Sequence, residues 1–261
     1  MRKVFILPNL FTASSLFSGM LGIFEVFQGH LAAACGYILL SALLDVFDGL
    51  VARLTKTQSA FGLNFDSLSD VVAFGAAPGL MAFSVLSAFY PRLAAPVASL
   101  FTVCGALRLA RFNVQATREE SKAFLGLPIP GAALAAISLI WLVETKPELR
   151  PWLPLDKIYP PAMVGLAYLM VSKVPYVGFK SLNLADRQPF EILVAIVVVI
   201  TLLFMVKEHL LLVGASFIWL YVLGGVFFAL MRPIRRRRYR AYRQAMRARL
   251  RTSEAPREHE S

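Results

Sequence analysis

Apolar positions along the chain fall into long runs, and polar residues are confined to short breaks between them. A run of about 20 apolar residues matches one helical crossing of a membrane. This pattern predicts an all-α, multi-spanning membrane helix bundle with about eight transmembrane helices. The predicted spans are residues 8–28, 31–53, 69–90, 93–115, 128–145, 158–176, 189–206 and 209–231. We expect residues 1–231 to form one integral-membrane domain.

Basic residues are distributed unequally between the two ends of these spans. An even number of spans places both termini on one side, and 22 of the 27 Lys and Arg residues then lie on that side. Short cytoplasmic segments of membrane proteins carry an excess of Lys and Arg. The sequence therefore predicts a multi-pass protein of the cytoplasmic membrane with both termini in the cytoplasm.

The last segment, residues 232–261, is a basic cytoplasmic tail that we expect to be partly disordered. It contains the stretch RPIRRRRYRAYRQAMRARLR, and it accounts for most of the net charge of +11. A basic segment beside a membrane binds anionic lipid headgroups. Nucleic-acid binding is the alternative interpretation, but a basic run next to a span needs no such partner. We therefore expect membrane lipids as partners and no nucleic acid.

Composition makes the acidic residues of the second and third helices unusual. The chain is 57% hydrophobic and only 16% charged, against about 25% charged in average globular proteins. Yet the stretch DVFDGLVARLTKTQSAFGLNFDSLSD carries four aspartates between apolar segments. Asp45 and Asp48 are three residues apart and Asp66 and Asp70 are four apart, so each pair lies on one face of a helix. A short connection over residues 54–60 would bring both pairs to the cytoplasmic mouth of a hairpin.

Four clustered carboxylates in a membrane require compensating positive charge. Each one costs about 2.5–3.5 kcal/mol to place at the centre of a membrane helix, and the four also repel one another. Two divalent cations would balance them, and an all-oxygen site suits Mg²⁺ or Mn²⁺. Gly49 and Gly62 leave room for a phosphorylated group to approach the backbone, and Arg53 offers a planar fork for phosphate.

Two other interpretations of the aspartates are open. They could cap helices or lie in wet loops, which is common for a single aspartate but unusual for four at this spacing. An ion-coupled transporter also uses acids within the membrane. Transporter sites usually lie near the midplane of broken helices, whereas these aspartates flank a basic cytoplasmic turn.

Written as a pattern, the stretch is D-x2-D-G-x2-A-R-x8-G-x3-D-x3-D. It resembles the signature of the CDP-alcohol phosphatidyltransferase family, with every fixed position present. The resemblance implies a metal-dependent enzyme that transfers a phosphatidyl group from a CDP-linked lipid to an alcohol and releases CMP. It also implies a homodimer.

Other stretches resemble the phosphatidylserine synthase branch of that family. They are LPNLFTASSLFSGMLGI near the start, LRLARFNV from Leu107, FLGLPIPGAA from Phe124 and VSKVPYVGFKSL from Val171. This resemblance implies CDP-diacylglycerol and L-serine as substrates. Related enzymes of the family use a glycerol phosphate or an inositol-type acceptor, and these remain the alternative.

The resemblance assigns roles to the matching positions. It implies that Asp45, Asp48, Asp66 and Asp70 are metal ligands, and that Asp70 is also the candidate base. The positions implied for CDP binding are Gly49, Ala52, Arg53 and Gly62. Asn9 and Thr12 form a polar position in the first span that we expect to lie near the nucleotide.

Basic and amide residues at the end of the fourth span are further candidates. Arg108, Arg111 and Asn113 fall at its predicted cytoplasmic end, where Arg can bind phosphate or the serine carboxylate through paired hydrogen bonds. Anchoring of the span by positive charge is the alternative role. Lys180 is a candidate for contact with phosphate or a lipid headgroup.

Overall fold

The computed structural model describes residues 6–54, 59–116, 126–174, 176, 211–227, 229 and 231. Within that part of the chain, the regular structure is helical and contains no strand, which confirms the predicted all-α class. Its α-helices are α1 Ile6–Phe27, α2 Leu31–Leu54, α3 Ala60–Ser87, α4 Pro91–Ala116, α5 Ile129–Thr145, α6 Leu155–Val171 and α7 Leu211–Phe227.

Four of these helices are long and apolar enough to cross a membrane. Their qualifying segments are Asn9–Phe27, Leu31–Val51, Ala60–Ser87 and Pro91–Val114, and α5 and α7 are apolar but shorter. Large apolar side chains remain exposed along these helices, as expected of a surface that faces lipid. The total of about eight spans stays a prediction, and the predicted span 189–206 and the tail 232–261 lie outside the described residues.

The predicted third span, residues 69–90, begins too late. Helix α3 begins at Ala60, where the Ser59 hydroxyl caps it by accepting a hydrogen bond from the Gly62 N–H at 2.9 Å. Its first turns carry Asn64, Asp66 and other polar residues, which lower the local hydropathy. The hydropathy pattern therefore missed the first turns of α3, which carry Asp66.

The predicted sixth span, residues 158–176, ends too late. Helix α6 ends at Val171, and Ser172 adopts an extended backbone conformation. The carbonyl group of Val174 instead accepts a hydrogen bond of 2.8 Å from the N–H of Gly126. Gly126 has φ +88°, a left-handed conformation that favours glycine. The GLPIPG stretch thus leads into α5 and packs against the end of α6.

Serine hydroxyls tie α1 to α2. Ser15 and Ser41 each donate a hydrogen bond to the other's carbonyl oxygen, at 3.0 and 2.9 Å. Ser18 donates to the carbonyl oxygen of Tyr37 at 2.8 Å. These buried bonds fix the register of the two helices because each satisfies a polar group away from water.

Helix α3 contains a π-helical turn over Val71–Ala76, directly after Asp70. Such turns are rare and are frequent at functional sites. Gly19 of α1 packs tightly against this turn, since a Cβ atom placed on Gly19 would lie 2.7 Å from the Cβ atom of Ala73. The contact holds α3 against α1 next to Asp70.

The apolar core and the acidic cluster occupy opposite halves of the α2–α3 hairpin. The core residues of α2, such as Cys35 and Ile38, lie in its first half, and those of α3, such as Phe74 and Met81, lie in its second half. They pack with residues of α4, α5 and α6, including the fully buried Tyr159. The acids lie near the connection between α2 and α3, where the helices can hold polar groups without disrupting this core.

Candidate active site

Three carboxylates converge where the end of α2 meets the start of α3. Asp45 and Asp48 lie one turn apart on α2, and Asp66 lies on α3. One carboxylate oxygen from each residue lies within 4.8 Å of the other two. The hairpin therefore assembles acids from two helices into one group.

Helix α1 supports this group from a third side. The hydroxyl of Thr12 donates a hydrogen bond of 2.6 Å to Oδ2 of Asp48, and both side chains are buried. The hydroxyl of Ser69 in turn donates to the carbonyl oxygen of Thr12 at 3.2 Å. A hydroxyl that donates to one carboxylate oxygen orients the other oxygen, as the outer partners of metal ligands do.

Asp70 lies one turn after Asp66, at the start of the π-helical turn. Its side chain is buried, with 8% of the residue exposed. It interacts electrostatically with Asp45, Asp66 and Asp48, and with Arg108 of α4. The structure thus brings three of the four predicted acids into one group and sets Asp70 next to them, within electrostatic range of Arg108.

The positions expected to bind nucleotide lie on α1, α2 and the start of α3. A Cβ atom placed on Gly62 would lie 3.1 Å from Oγ of Ser59 and 3.3 Å from Oδ1 of Asn9. Gly62 therefore lets two polar side chains approach the start of α3 closely. Thr12 lies one turn after Asn9 on α1, so both predicted polar residues of that helix face the hairpin.

The remaining positions of the signature follow the acids on α2. Gly49 comes directly after Asp48 and is half-buried. Ala52 and Arg53 belong to the last turn of α2, but their side chains lie outside the described part of the chain.

The candidates at the end of α4 divide into different environments. Arg111 donates a hydrogen bond of 3.1 Å to the carbonyl oxygen of Val171, so it holds the end of α6. Asn113 donates one of 2.9 Å to the hydroxyl of Ser67, which lies next to Asp66 on α3. Arg108 interacts electrostatically with Asp70. Lys180 lies outside the described residues.

Comparison with known proteins decides the family. The family model for CDP-alcohol phosphatidyltransferase matches residues 5–175, which include every site residue predicted from the sequence that the structure describes. This chain is a member of the CDP-alcohol phosphatidyltransferase family. Among the described residues, four helices are long and apolar enough to cross a membrane, and with this family membership they make the protein a membrane-integral transferase of phospholipid biosynthesis.

Curated relatives of this phosphatidyltransferase carry serine in their names. The CDP-diacylglycerol--serine O-phosphatidyltransferase of Helicobacter pylori is 36% identical over 225 residues, which cover 86% of this chain and 91% of the relative. The protein of the same name from Bacillus subtilis is 31% identical over 67% of this chain and 91% of its own length. The archaetidylserine synthase of Methanothermobacter thermautotrophicus is 39% identical over 65% of this chain and 69% of its own length.

The donor set of this phosphatidyltransferase fits a hard divalent cation. The three acids offer only oxygen ligands, and one oxygen from each already lies within 4.8 Å of the other two. Mg²⁺ and Mn²⁺ prefer carboxylate, carbonyl and water oxygens. The buried Thr12–Asp48 hydrogen bond adds the outer support that such ligands usually have.

Several residues that shape the site were not predicted from the sequence. Ser59, Ser67 and Ser69 cap α3 or bridge it to α4 and α1, as their hydrogen bonds show. The spacing of Ser59 three residues before Gly62 is a helix-cap signal. No local pattern marks the other two serines, because their partners lie far away in the sequence. Tyr221 of α7, which lies near Arg108, belongs to a region where no motif was recognised.

Proposed function

We propose that this chain transfers the phosphatidyl group of CDP-diacylglycerol to the hydroxyl of L-serine, giving phosphatidylserine and CMP. The observation that carries the proposal is the convergence of Asp45, Asp48 and Asp66, with Asp70 beside them. The names of the curated relatives and the secondary motifs support serine as the acceptor. Direct transfer without a covalent enzyme intermediate is the simplest route. Attack of the serine hydroxyl on the lipid phosphorus needs only a base and a polarised phosphate, and no enzyme nucleophile.

In this proposal Asp45, Asp48 and Asp66, with Asp70 as a further ligand, hold two Mg²⁺ or Mn²⁺ ions. When bound, these ions neutralise the diphosphate and stabilise the leaving CMP. Thr12 keeps the Asp48 carboxylate oriented. Gly49 and Gly62 give the nucleotide access to the backbone, with Ala52, Arg53 and Asn9 as further contacts.

Asp70 acts as the base in the proposed reaction. A neutral hydroxyl is a poor nucleophile, so a carboxylate that accepts its proton assists the attack. The serine oxygen then forms a bond to the lipid-bearing phosphorus, and the bond from that phosphorus to the CMP oxygen breaks. Asp70 is buried, which limits the contact of its carboxylate with bulk water.

We further propose that the protein works as a homodimer in the cytoplasmic membrane. Membrane lipids surround its apolar helices, and the basic tail of residues 232–261 rests on anionic headgroups. Lys180 and the cationic residues at the end of α4 would add contacts to phosphate or serine on the same side.

The function is tested by incubating purified protein with CDP-diacylglycerol and a panel of alcohols, with and without Mg²⁺ or Mn²⁺. We expect CMP release to require both the metal and L-serine, and the lipid product to be phosphatidylserine. A product made from glycerol phosphate or inositol instead would show that the acceptor is wrong. CMP release that is independent of CDP-lipid and acceptor would contradict the enzyme assignment.

The active site is proposed to face the cytoplasm, because 22 of 27 basic residues fall on that side of the predicted spans. Thr57 falls between the last residue of α2 and the first residue of α3 in the sequence, and Glu148 lies in the exposed turn after α5. Single cysteines at these two positions, with Cys35 and Cys104 replaced, should react with an impermeant thiol reagent from opposite sides of the membrane. Labelling of both from the same side refutes this topology.

A further inference from the structure

Helix α7 lies beyond residues 5–175, which the family model matches, yet its residues Trp219 and Tyr221 pack against the core of the bundle. The rings of Tyr221 and Tyr176 lie 5.4 Å apart between centroids, with 49° between their planes. The hydroxyl of Tyr176 donates a hydrogen bond of 3.1 Å to the carbonyl oxygen of Val222. A Cβ atom placed on Gly131 would lie 3.7 Å from Cε1 of Tyr221. The ring of Tyr221 is therefore held between the start of α5 and the segment that follows α6.

Tyr221 and Asp70 both interact electrostatically with Arg108. The Nε atom of Arg108 is buried and makes no hydrogen bond to any residue that the structure describes. Arg111, one turn further along α4, already donates to the carbonyl oxygen of Val171. A buried donor without a partner is unfavourable by about 1–3 kcal/mol, so the position of Arg108 indicates a ligand that would satisfy it.

We propose that Arg108 and Tyr221 bind the carboxylate of the acceptor amino acid, and that Tyr221 is a specificity-determining residue. The inference rests on the proposed function and extends it to the recognition of the acceptor. The guanidinium group donates paired hydrogen bonds to the carboxylate, and the phenolic hydroxyl donates a further one.

The position of the pair beside Asp70 favours the acceptor over the nucleotide. In serine only two carbon atoms separate the hydroxyl oxygen from the carboxyl carbon, so a base and a carboxylate-binding cation must be close neighbours. Arg108 is the cation that interacts with Asp70, and it lies on α4. The nucleotide positions Asn9 and Gly62 lie on α1 and α3 instead. A carboxylate near four acids also needs a cation to offset their repulsion.

A site built in this way rejects alcohols that lack the carboxylate. When an analogue lacks the carboxylate, the polar groups of the site that would bind it are left unpaired, and the kcat/KM for that analogue falls strongly. Ethanolamine carries the hydroxyl and the ammonium group of serine without the carboxylate. We therefore expect the wild-type protein to use ethanolamine far less well than serine.

The test compares Tyr221→Phe and Arg108→Gln with Tyr168→Phe, which removes the same hydroxyl from an exposed tyrosine of α6. Tyr221→Phe should raise the KM for L-serine about tenfold, which corresponds to one hydrogen bond to a charged group. Arg108→Gln should raise it about a hundredfold and reduce the preference for serine over ethanolamine. The KM for CDP-diacylglycerol should stay within about twofold in Tyr221→Phe, and Tyr168→Phe should match the wild type in every value.

Direct binding gives a second measurement that does not depend on turnover. L-serine should raise the thermal midpoint of the wild-type protein and of Tyr168→Phe, and this shift should shrink in Tyr221→Phe at the same serine concentration. An increase in the KM for CDP-diacylglycerol with an unchanged KM for serine would show that the pair binds the diphosphate, and would overturn the inference. An equal KM for L-serine and an equal serine-induced shift of the thermal midpoint in Tyr221→Phe and Tyr168→Phe would overturn it as well. If the wild-type protein uses an alcohol other than serine, the proposed function fails before this inference is reached.

Discussion

Replacing Asp66 by Asn is expected to abolish turnover and to weaken the binding of Mg²⁺ or Mn²⁺. Asp66 is the member of the three-acid group that comes from α3, and Asp45 and Asp48 come from α2. The substitution removes the one charge that α3 would contribute to a cation held by this group. Loss of an outer partner of a metal ligand typically costs about 10–100-fold in affinity or activity, so loss of a ligand should exceed that range.

The matched control is Asp156→Asn, the same chemical change in the first turn of α6, outside the site. CMP release should be near normal in the control and undetectable in Asp66→Asn. Binding of Mn²⁺, followed by electron paramagnetic resonance, should weaken only in Asp66→Asn. Normal turnover in that variant, or full wild-type activity in excess chelator, would show that the acids do not hold a metal.

The parts of the site that could be predicted are those set by spacing along one helix. The Asp45–Asp48 and Asp66–Asp70 intervals fix which face each acid occupies, and a short connection leaves an antiparallel hairpin as the natural arrangement. Helical geometry alone therefore predicts that these acids approach one another. Hydropathy located the apolar helices for the same reason, since each crossing requires a continuous run.

Contacts between distant segments could not be predicted in the same way. The hydrogen bond from Asn113 to Ser67 joins α4 to α3, and the one from Arg111 to Val171 joins α4 to the end of α6. Both depend on how helices pack, which a single sequence does not encode in any local pattern. The sequence identified Arg111 and Asn113 as candidate site residues. Their roles as links between helices could be seen only in the structure.

The start of α3 shows why hydropathy failed where function is concentrated. The segment Ala60–Asp70 is the least apolar part of this helix, because it carries the acids and their serine partners. Polar groups in an apolar helix lower the hydropathy signal, so the predicted span began too late at the candidate site, although the predicted connection over residues 54–60 agrees with a helix that begins at Ala60. The π-helical turn after Asp70 has no sequence signature of this kind, and packing of Gly19 against Ala73 is the feature that accompanies it.

Replacing Asp70 by Asn is expected to lower kcat by about 10²–10⁴-fold, the usual contribution of a general base, or about 3–5 kcal/mol of barrier. Asp70 lies beside the three-acid group rather than within it, and it interacts electrostatically with Arg108. The amide keeps the shape and one carbonyl oxygen of the side chain but cannot accept the proton of serine. Binding of CDP-diacylglycerol, measured directly with Mn²⁺ present, should therefore change little.

Asp48→Asn provides the contrast that separates a base from a ligand. Asp48 belongs to the three-acid group and is oriented by Thr12 through the 2.6 Å hydrogen bond. Its replacement should impair CDP-diacylglycerol binding and turnover together, because an amide is a weaker ligand and the Thr12 contact loses its charged acceptor. If Asp70→Asn keeps a near-normal kcat, or loses lipid-nucleotide binding as severely as Asp48→Asn, then Asp70 is mainly a ligand and the proton of serine leaves by another route.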